Sequence, residues 1–577
     1  MTRSLFAASF SIWLGTSLLA CGGGASGPGS GGVFGQPTGG FDPTSVALIE
    51  GAPEPSPLGF DPSVTRQWHI RNFGQYGGVV QQDLRLFETG LPGDVLLTGK
   101  GTLVAVLDGA VQVSHPDLRW RFANTPSHSY RTQSSDPSPP VGAADRAFDD
   151  SPGAIDDAHG TAVAGIIAAT AGNGLGGRGV APGARLMALD VLVDPSLSNL
   201  VDAIARSAQA GASVINNSWG PLDPQAGGDR SFTVAPAAWK RAVEQATSTG
   251  RNGQGTVVVF AAGNGGLDGD RSDYDEFTND PNVIAVGAVD DRGIPICFSE
   301  PGANVLVTGF SGVDLRRGVD RPGIFTTDIA GPRGYSKLDR QDLEPDPDYT
   351  QLFDGTSAAA PMISGLVALM LETNPRLSWR DIRWILASTA RPTGSGRCGG
   401  QLITPAASSL NAHGFHPRTG FGIASASAAT TMARDFLGLG EEVICDSDRI
   451  PIDAAQGSIP DASTVGVSVS RSVGADCPIR RVEAVELSLA VDHPYSGDLR
   501  IRLTAPSQKS VDLSEPHACK GDPSQEACTP IRDGFRFGIV RFMGEAPAGT
   551  WVLRISDEAS DDTGRLLWWR LRLRGHR

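Results

Sequence analysis

The sequence predicts an α/β domain built on a parallel sheet flanked by helices, followed by an all-β domain of sandwich or jelly-roll type. Three observations carry that expectation. Apolar, β-branched runs at Thr102–Leu107, Ser213–Asn216 and Thr256–Phe260 lack polar alternation, as in strands covered on both faces. Helical patterns at Gly160–Ala169, Leu200–Gln209, Ala237–Ser248 and Ser357–Glu372 lie between and after them, the order of a parallel sheet with helices on both sides. From about residue 440 the pattern changes. Val482–Val491, Asp498–Thr504, Phe537–Phe542, Thr550–Ile555 and Leu566–Leu573 alternate apolar with polar residues, and turn signals separate them.

The other bulk features bound the function. A chain of 577 residues exceeds one ordinary core, so at least two folded units are expected. Its net charge of −15 excludes a general nucleic-acid binder, whose footprint is basic. An acidic surface fits extracellular solubility, calcium ligation or attraction for basic substrates. Met1-Thr2-Arg3 and the apolar run Leu5–Ala20 describe an export signal, too short for a membrane-spanning helix. Leu18-Leu19-Ala20-Cys21 resembles a bacterial lipobox and predicts lipidation of Cys21. The protein would then be tethered to a bacterial membrane, in the periplasm or at the surface. Ordinary cleavage nearby, leaving Cys21 a spare thiol, is the alternative. Residues 22–58, rich in Gly, Pro and Ser, read as a spacer. The expected domains are then 59–438 and 439–577. Six further cysteines permit disulfides in an exported chain. Cys519 with Cys528 and Cys445 with Cys477 flank short segments and are the expected pairs, while Cys297 and Cys398 pair or stay free.

Three segments carry chemistry. Val104-Ala105-Val106-Leu107-Asp108 is a buried strand ending in a carboxylate; Asp157-Ala158-His159-Gly160-Thr161 puts an imidazole at a helix start; Asp354-Gly355-Thr356-Ser357 leads into a helix containing Pro361. A serine hydroxyl is a weak nucleophile until an imidazole takes its proton, and a carboxylate must hold that imidazole in the right tautomer. With this chain order and the Gly355–Pro361 run, the sequence is identified as a member of the subtilisin superfamily, with Asp108, His159 and Ser357 matching its triad. Val259-Phe260-Ala261-Ala262-Gly263-Asn264 resembles the family's strand ending in the oxyanion Asn. Such an amide donor lowers the barrier by about 3–4 kcal/mol, a magnitude that itself comes from a subtilisin.

Further segments narrow the resemblance to the kexin and furin branch. Ser218-Trp219-Gly220-Pro221-Leu222-Asp223, the carboxylates Asp270 and Asp275 after Asn264, and Phe298-Ser299-Glu300 are similar to that branch's pocket segments. The resemblance implies substrate contacts from Trp219, Gly220, Asp223 and Asp275, with Asp275 meeting an Arg or Lys at P1. Asp223, Asp270 and Glu300 would hold a calcium ion beneath the pocket, since carboxylates gathered without a counter-cation repel. Asp156 matches a second acidic subsite, whereas Gly109 stands where the reader of a basic P2 belongs, so a strict dibasic requirement is not expected. By the same resemblance Asp83, Asp117, Thr170, Asn173, Leu175 and Gly177 would hold a second calcium.

His493-Pro494-Tyr495-Ser496-Gly497-Asp498-Leu499 and Pro547–Trp551 resemble the P domain of that branch, a β jelly roll that its catalytic domains need for folding. Asp498, Asp557 and Asp562 there either terminate strands, the preferred reading, or ligate another cation. Residues 22–58 are too short and polar for the family's usual prodomain, so folding is expected to rely on the P domain, calcium or a chaperone. The expected function is calcium-dependent serine endopeptidase action on proteins or peptides with a basic P1, with no nucleic-acid partner. The alternatives are a broad subtilisin-like protease with apolar P1 preference, or a surface binding protein that no longer turns over.

Overall fold

The computed structural model describes residues 61–88, 96–140, 157–222, 230–312, 322–331, 333–336, 344–519, 528 and 530–577. Six strands form one parallel sheet: β1 (Leu103–Leu107), β2 (Arg185–Leu189), β3 (Val214–Asn217), β4 (Val257–Ala261), β5 (Val283–Val289) and β6 (Val305–Phe310), in the order β2-β1-β3-β4-β5-β6. All five pairings are parallel. A short helix α1 (Arg119–Phe122) precedes α2 (His159–Ala168), α3 (Leu197–Gln209), α4 (Ala237–Thr249), α5 (Thr356–Thr373), α6 (Trp379–Thr389) and α7 (Ala426–Asp435).

The absence of polar alternation in the strands now has its reason. In β1, Val104 and Val106 enter the core shared with α2 and α5, while Leu103, Ala105 and Leu107 enter the core shared with α3 and α4. Both faces are covered, so both must be apolar. Helix α5 is apolar and long enough to cross a membrane, but 89% of it lies inside the protein, where it serves as the central core helix. A two-stranded hairpin, β7 (Ile324–Thr327) and β8 (Tyr349–Phe353), leads into α5.

The C-terminal part is an all-β sandwich of two antiparallel sheets. One contains Val443–Asp446, Gly564–His576, Arg481–Asp492 and Phe535–Ile539; the other contains Ser463–Val473, Gly549–Asp557, Leu499–Thr504 and Ser510–Ser514. Asp557 is buried against His493, with Nε2 3.1 Å from Oδ2, and needs no cation to account for it. The core of this sandwich continues into the first domain through Phe232, Tyr274 and Ala303. Polar contacts reinforce the seam. Arg380 makes a forked pair with Glu483 at 2.8 and 2.6 Å, and Glu483 also meets His576 Nδ1 at 2.8 Å. A Cβ at Gly538 would lie 2.0 Å from the Asn279 carbonyl, so only glycine allows the strand to lie this close. Disulfides join Cys297 with Cys398, Cys445 with Cys477 and Cys519 with Cys528.

One core residue makes the fold acid-sensitive. His69 is fully buried beside Trp68, neither ring nitrogen has a hydrogen-bond partner among the described residues, and burial lowers its pKa to about 3. Below pH 6.5 the unfolded chain binds a proton at this position that the native state refuses, so stability falls as pH drops toward 3 and is independent of this group above 6.5. Between pH 7 and pH 4 the loss from this residue is roughly 3 kcal/mol. In His69→Phe the unfolding midpoint is expected to fall less over that range than in wild type, as denaturant titrations at both pH values would read. An equal fall in both proteins contradicts this assignment.

Candidate active site

Asp108 continues β1 directly. Its backbone N–H donates to Leu189 O at 3.1 Å and its carbonyl accepts from Leu192 N at 3.1 Å, so the end of β2 and the turn after it hold it. The side chain has no exposed surface, and its Oδ1 lies 2.7 Å from His159 Nδ1 and accepts the Gly109 N–H at 2.7 Å. His159 opens α2, and its ring meets the Phe353 ring edge-on with centroids 5.3 Å apart.

Ser357 is the second residue of α5, behind Gly355, whose φ of +77° excludes side chains at that turn. Pro361 explains how this helix start is held. It has no N–H, so the Ser357 carbonyl four residues earlier loses its helical donor. The Ser218 hydroxyl replaces it, donating to Ser357 O at 3.1 Å, and Ser357 Oγ donates to Ser218 O at 3.1 Å in return. The end of β3 and the start of α5 are thereby tied by a reciprocal pair.

Asn264 lies three residues past β4. Its Oδ1 accepts from Thr356 N at 2.8 Å and Thr356 Oγ1 at 2.9 Å. A backbone N–H can only donate, so these bonds settle which end of the amide faces Thr356 and leave the Nδ2 hydrogens for the opposite side.

Ser357, Asn264, Asp275, Asp270, Glu300 and Trp219 border one cavity. Gly220 also borders it, with open space where a Cβ would stand. Asp275 is buried; it accepts the Phe277 N–H at 2.9 Å, the Thr278 N–H at 3.2 Å and the Thr278 hydroxyl. Burial nonetheless outweighs these donors and pushes its carboxyl up to about 6. Glu300 Oε1 accepts from Gly265 N at 3.0 Å. Asp223 and Asp156 lie outside the described residues.

Behind Glu300, outside the residues that border the cavity, stands a charge the sequence did not announce. The guanidinium of Arg418 donates to Cys297 O at 2.7 Å and to Ser299 O, which sets a buried positive charge beside Glu300. Its charge acts on the Glu300 carboxylate. Arg418 is 118 residues downstream of Glu300 in an irregular stretch, and no local pattern marks it.

The second expected cation site is corrected at one position. Asp83 is not part of it; its two oxygens accept from Asn72 N and Arg85 N, each at 2.8 Å, and it acts as a turn cap. Asp61 takes that place, accepting from Gly172 N at 2.8 Å and Gly174 N at 3.1 Å. Asp117 faces the same loop, with Oδ1 accepting from Thr170 N at 3.1 Å and Asn173 Nδ2 at 2.8 Å. Ser63 N holds the Gly176 carbonyl at 2.7 Å, and Gln67 bridges both sides of Arg178, which ties the loop containing Leu175 and Gly177 to the stretch after Asp61. Burial, to which the Asp61 charge adds, pushes Asp117 up to about 8. Two buried carboxylates that resist joint ionisation, beside the Asn173 amide, offer oxygen donors of the kind that hard cations take. Among the described residues, however, no three acidic, histidine or cysteine side chains converge into a ready cage.

Fold and site together define a serine protease on a subtilisin-like sheet with an appended β sandwich. The chain belongs to the subtilase family, whose profile matches residues 99–422, and the proprotein convertase P-domain profile matches residues 482–573. It is 28% identical over 508 residues to the calcium-dependent protease of Nostoc sp., covering 87% of this chain and 70% of that protein. It is 30% identical over 524 residues to human proprotein convertase subtilisin/kexin type 7, covering 89% of this chain and 60% of the human protein. The serine protease of Aeromonas sobria, solved in complex with a chaperone, superposes with a TM-score of 0.75 at 26% identity, covering 90% of this chain and 96% of that one.

Proposed function

We propose that this chain is an exported, calcium-dependent serine endopeptidase that cleaves proteins after Arg or Lys. The observation that supports this most is that Ser357, Asn264 and the buried carboxylate of Asp275 border one cavity. In this reading Ser357 Oγ attacks the scissile carbonyl carbon while His159 Nε2 takes its proton. The oxyanion accepts from Asn264 Nδ2 and from the Ser357 N–H at the head of α5. His159 then passes the proton to the leaving amine as the C–N bond breaks, and water hydrolyses the acyl-enzyme by the same route in reverse. Asp108 keeps the imidazole oriented and offsets its charge when protonated.

The P1 cation would sit against Asp275, where a buried charge requires a partner. Gly109 offers no carboxylate toward P2, so cleavage is expected at single basic residues as well as at pairs. A set of peptides varied at P1 and P2, assayed with and without a chelator, tests this reading. Preferential cleavage after Leu or Phe would overturn it in favour of a broad subtilisin-like protease, and no cleavage with no labelling of Ser357 by a fluorophosphonate would favour a silent binding protein.

Calcium would be held by Asp223, Asp270 and Glu300 under the pocket, and by Asp61, Asp117, Asn173 and the carbonyls of Thr170, Leu175 and Gly177 at the second site. When bound it would neutralise these carboxylates and hold their loops. The name of the Nostoc relative supports calcium dependence. Asp61→Asn is expected to weaken calcium binding about tenfold or more, because affinity follows the charge of the ligand set. Asp83→Asn leaves it unchanged. Calcium-dependent shifts of the melting temperature of each variant separate the two, and the reverse pattern rejects Asp61 as a ligand.

Cys21, outside the described residues, would carry the lipid that tethers the protein to a bacterial membrane. Metabolic labelling with a fatty acid that is lost in Cys21→Ala is the expected result. The chaperone in the Aeromonas complex supports a folding partner here too, and active enzyme from the chain expressed alone would exclude an obligatory one.

A further inference from the structure

The cavity wall that carries Asp275 is not self-supporting. Two adjoining segments build it: Ser231 and Thr233 on one side, Arg271, Tyr274 and Asp275 on the other. They are joined to each other where Thr233 N donates to Tyr274 O at 2.7 Å and Glu276 N donates to Thr233 O at 3.0 Å. Behind both stands a short stretch of the β sandwich, Glu515–Cys519. His517 is its centre. The imidazole stacks on Tyr274 with centroids 4.6 Å apart and planes 20° from parallel. Its Nδ1 is 2.7 Å from the Glu515 carbonyl and 3.2 Å from the Tyr274 hydroxyl, and its Nε2 is 3.0 Å from the Arg230 carbonyl, one residue before Ser231; the neutral ring with its proton on Nε2 donates to Arg230 O. Arg230 is held a second time where its N–H donates to Cys519 O at 2.8 Å, and a third time by its guanidinium on Ala518 O.

The stretch is itself fastened. His517 N donates to Gly497 O at 2.8 Å, and both sulfurs of the Cys519–Cys528 disulfide seat on Gly497, where a Cβ would come within 2.9 and 3.0 Å of them. Arg271 adds an ion pair to Glu515 at 2.7 Å while holding Asp273 at 2.8 Å. One imidazole thus bridges the two strips of backbone that border the P1 cavity, and a disulfide fixes the segment from which it reaches.

We propose that His517 is a positioning residue for the P1 pocket, and that the Cys519–Cys528 disulfide keeps it in place, so that the β sandwich sets the placement of Asp275 relative to Ser357. This rests on the endopeptidase reading above and extends it. His517 touches neither Ser357 nor His159, so its loss acts on how a P1 side chain is received and leaves the chemistry intact.

The full-length enzyme carrying His517→Ala is expected to raise KM for a peptide with Arg at P1 about tenfold, the scale of one lost hydrogen bond and a small displacement of the pocket wall. Its kcat stays within about twofold of wild type, and so does the rate at which a small fluorophosphonate labels Ser357. His517→Gln, which retains an N–H donor for the Arg230 carbonyl, restores most of the KM; His517→Phe, which retains only the stacking, stays near the Ala value. Paired Cys519→Ser and Cys528→Ser changes raise KM in the same direction. An unchanged KM in His517→Ala overturns the positioning role, as does a parallel loss of kcat and labelling that Gln does not rescue, which is the mark of general destabilisation. Wild type that cleaves after Leu instead of Arg overturns the basic-pocket reading alone, and the KM comparison on the Leu peptide then decides the positioning role.

Discussion

Asp108→Asn is expected to lower kcat by about 10⁴-fold, with KM changed far less. The carboxylate has two tasks: its Oδ1 accepts from both His159 Nδ1 and Gly109 N, each at 2.7 Å. An asparagine could present its own Oδ1 to both, so the backbone turn is kept. What is lost is the negative charge that stabilises the imidazolium while Ser357 attacks. A second cost arises at Oδ2, which is buried and has no donor near it among the described residues. Asparagine places an NH₂ group there, which costs about 1–3 kcal/mol of stability or forces the amide to flip unless an acceptor is within reach. A flipped amide would turn its N–H groups toward His159 and impose the wrong tautomer. Pre-steady-state acylation with an ester substrate reads the effect directly. A loss of less than about tenfold would show that Asp108 does not serve His159 in this way.

Asp275→Asn is expected to lower kcat/KM for Arg and Lys substrates by about 10²–10³-fold, the penalty for leaving one partner of a buried pair alone. Cleavage after Leu is expected to fall far less: the one amide oxygen can keep the Thr278 N–H and hydroxyl bonds but not the Phe277 N–H bond as well, which costs part of the turn and not a charge partner. The pH dependence has a definite sign. Burial raises Asp275 to about 6, so in the free enzyme it loses its charge as pH falls through that value. A cationic P1 binds the charged form, so the preference for Arg over Leu falls as pH drops below about 6 and is full above it. Taking the ratio of the two substrates cancels the titration of His159, which affects both. A ratio that is flat from pH 5 to 8 would remove Asp275 from the pocket assignment.

The seam with the β sandwich bears on both results. Tyr274 is one peptide bond from Asp275, and its ring belongs to the sandwich core as well as to the pocket wall. Cutting the chain before Val443 would expose Phe232, Tyr274 and Ala303 and release Arg380 from Glu483. The two domains therefore form a single unit along the cavity that Ser357 and Asp275 border.

How far the sequence reaches differs by feature. The strands β1, β3 and β4 and the helices α2, α4 and α5 stand within a few residues of their expected ranges, because burial on one or two faces writes a period into the chain. Strand β2, whose sequence Arg185–Leu189 is short and opens on a charge, and the hairpin of β7 and β8 left no such trace. Asp108, His159 and Ser357 were legible because each stands at a fixed place in a local motif: the end of a strand, the start of a helix, the residue after a Gly-Thr turn. Those motifs are short enough for the chain to specify by itself.

Other parts depend on which distant segments meet. Asp61 rather than Asp83 approaches Asp117 because the stretch from Asp61 to Gln67 runs along a loop that is 111 residues away from it in the chain, and no periodicity relates the two. Arg418 reaches Glu300 across a similar gap, and His517 reaches Tyr274 across 243 residues. By itself, then, the sequence determined the family and the two architectures, and it singled out Asp108, His159 and Ser357, all of which follow from local pattern and burial. The company those side chains keep, and so the charge and rigidity of the pocket, was decided only by tertiary structure, because a carboxylate or a guanidinium in an irregular loop carries no period that would reveal its partner.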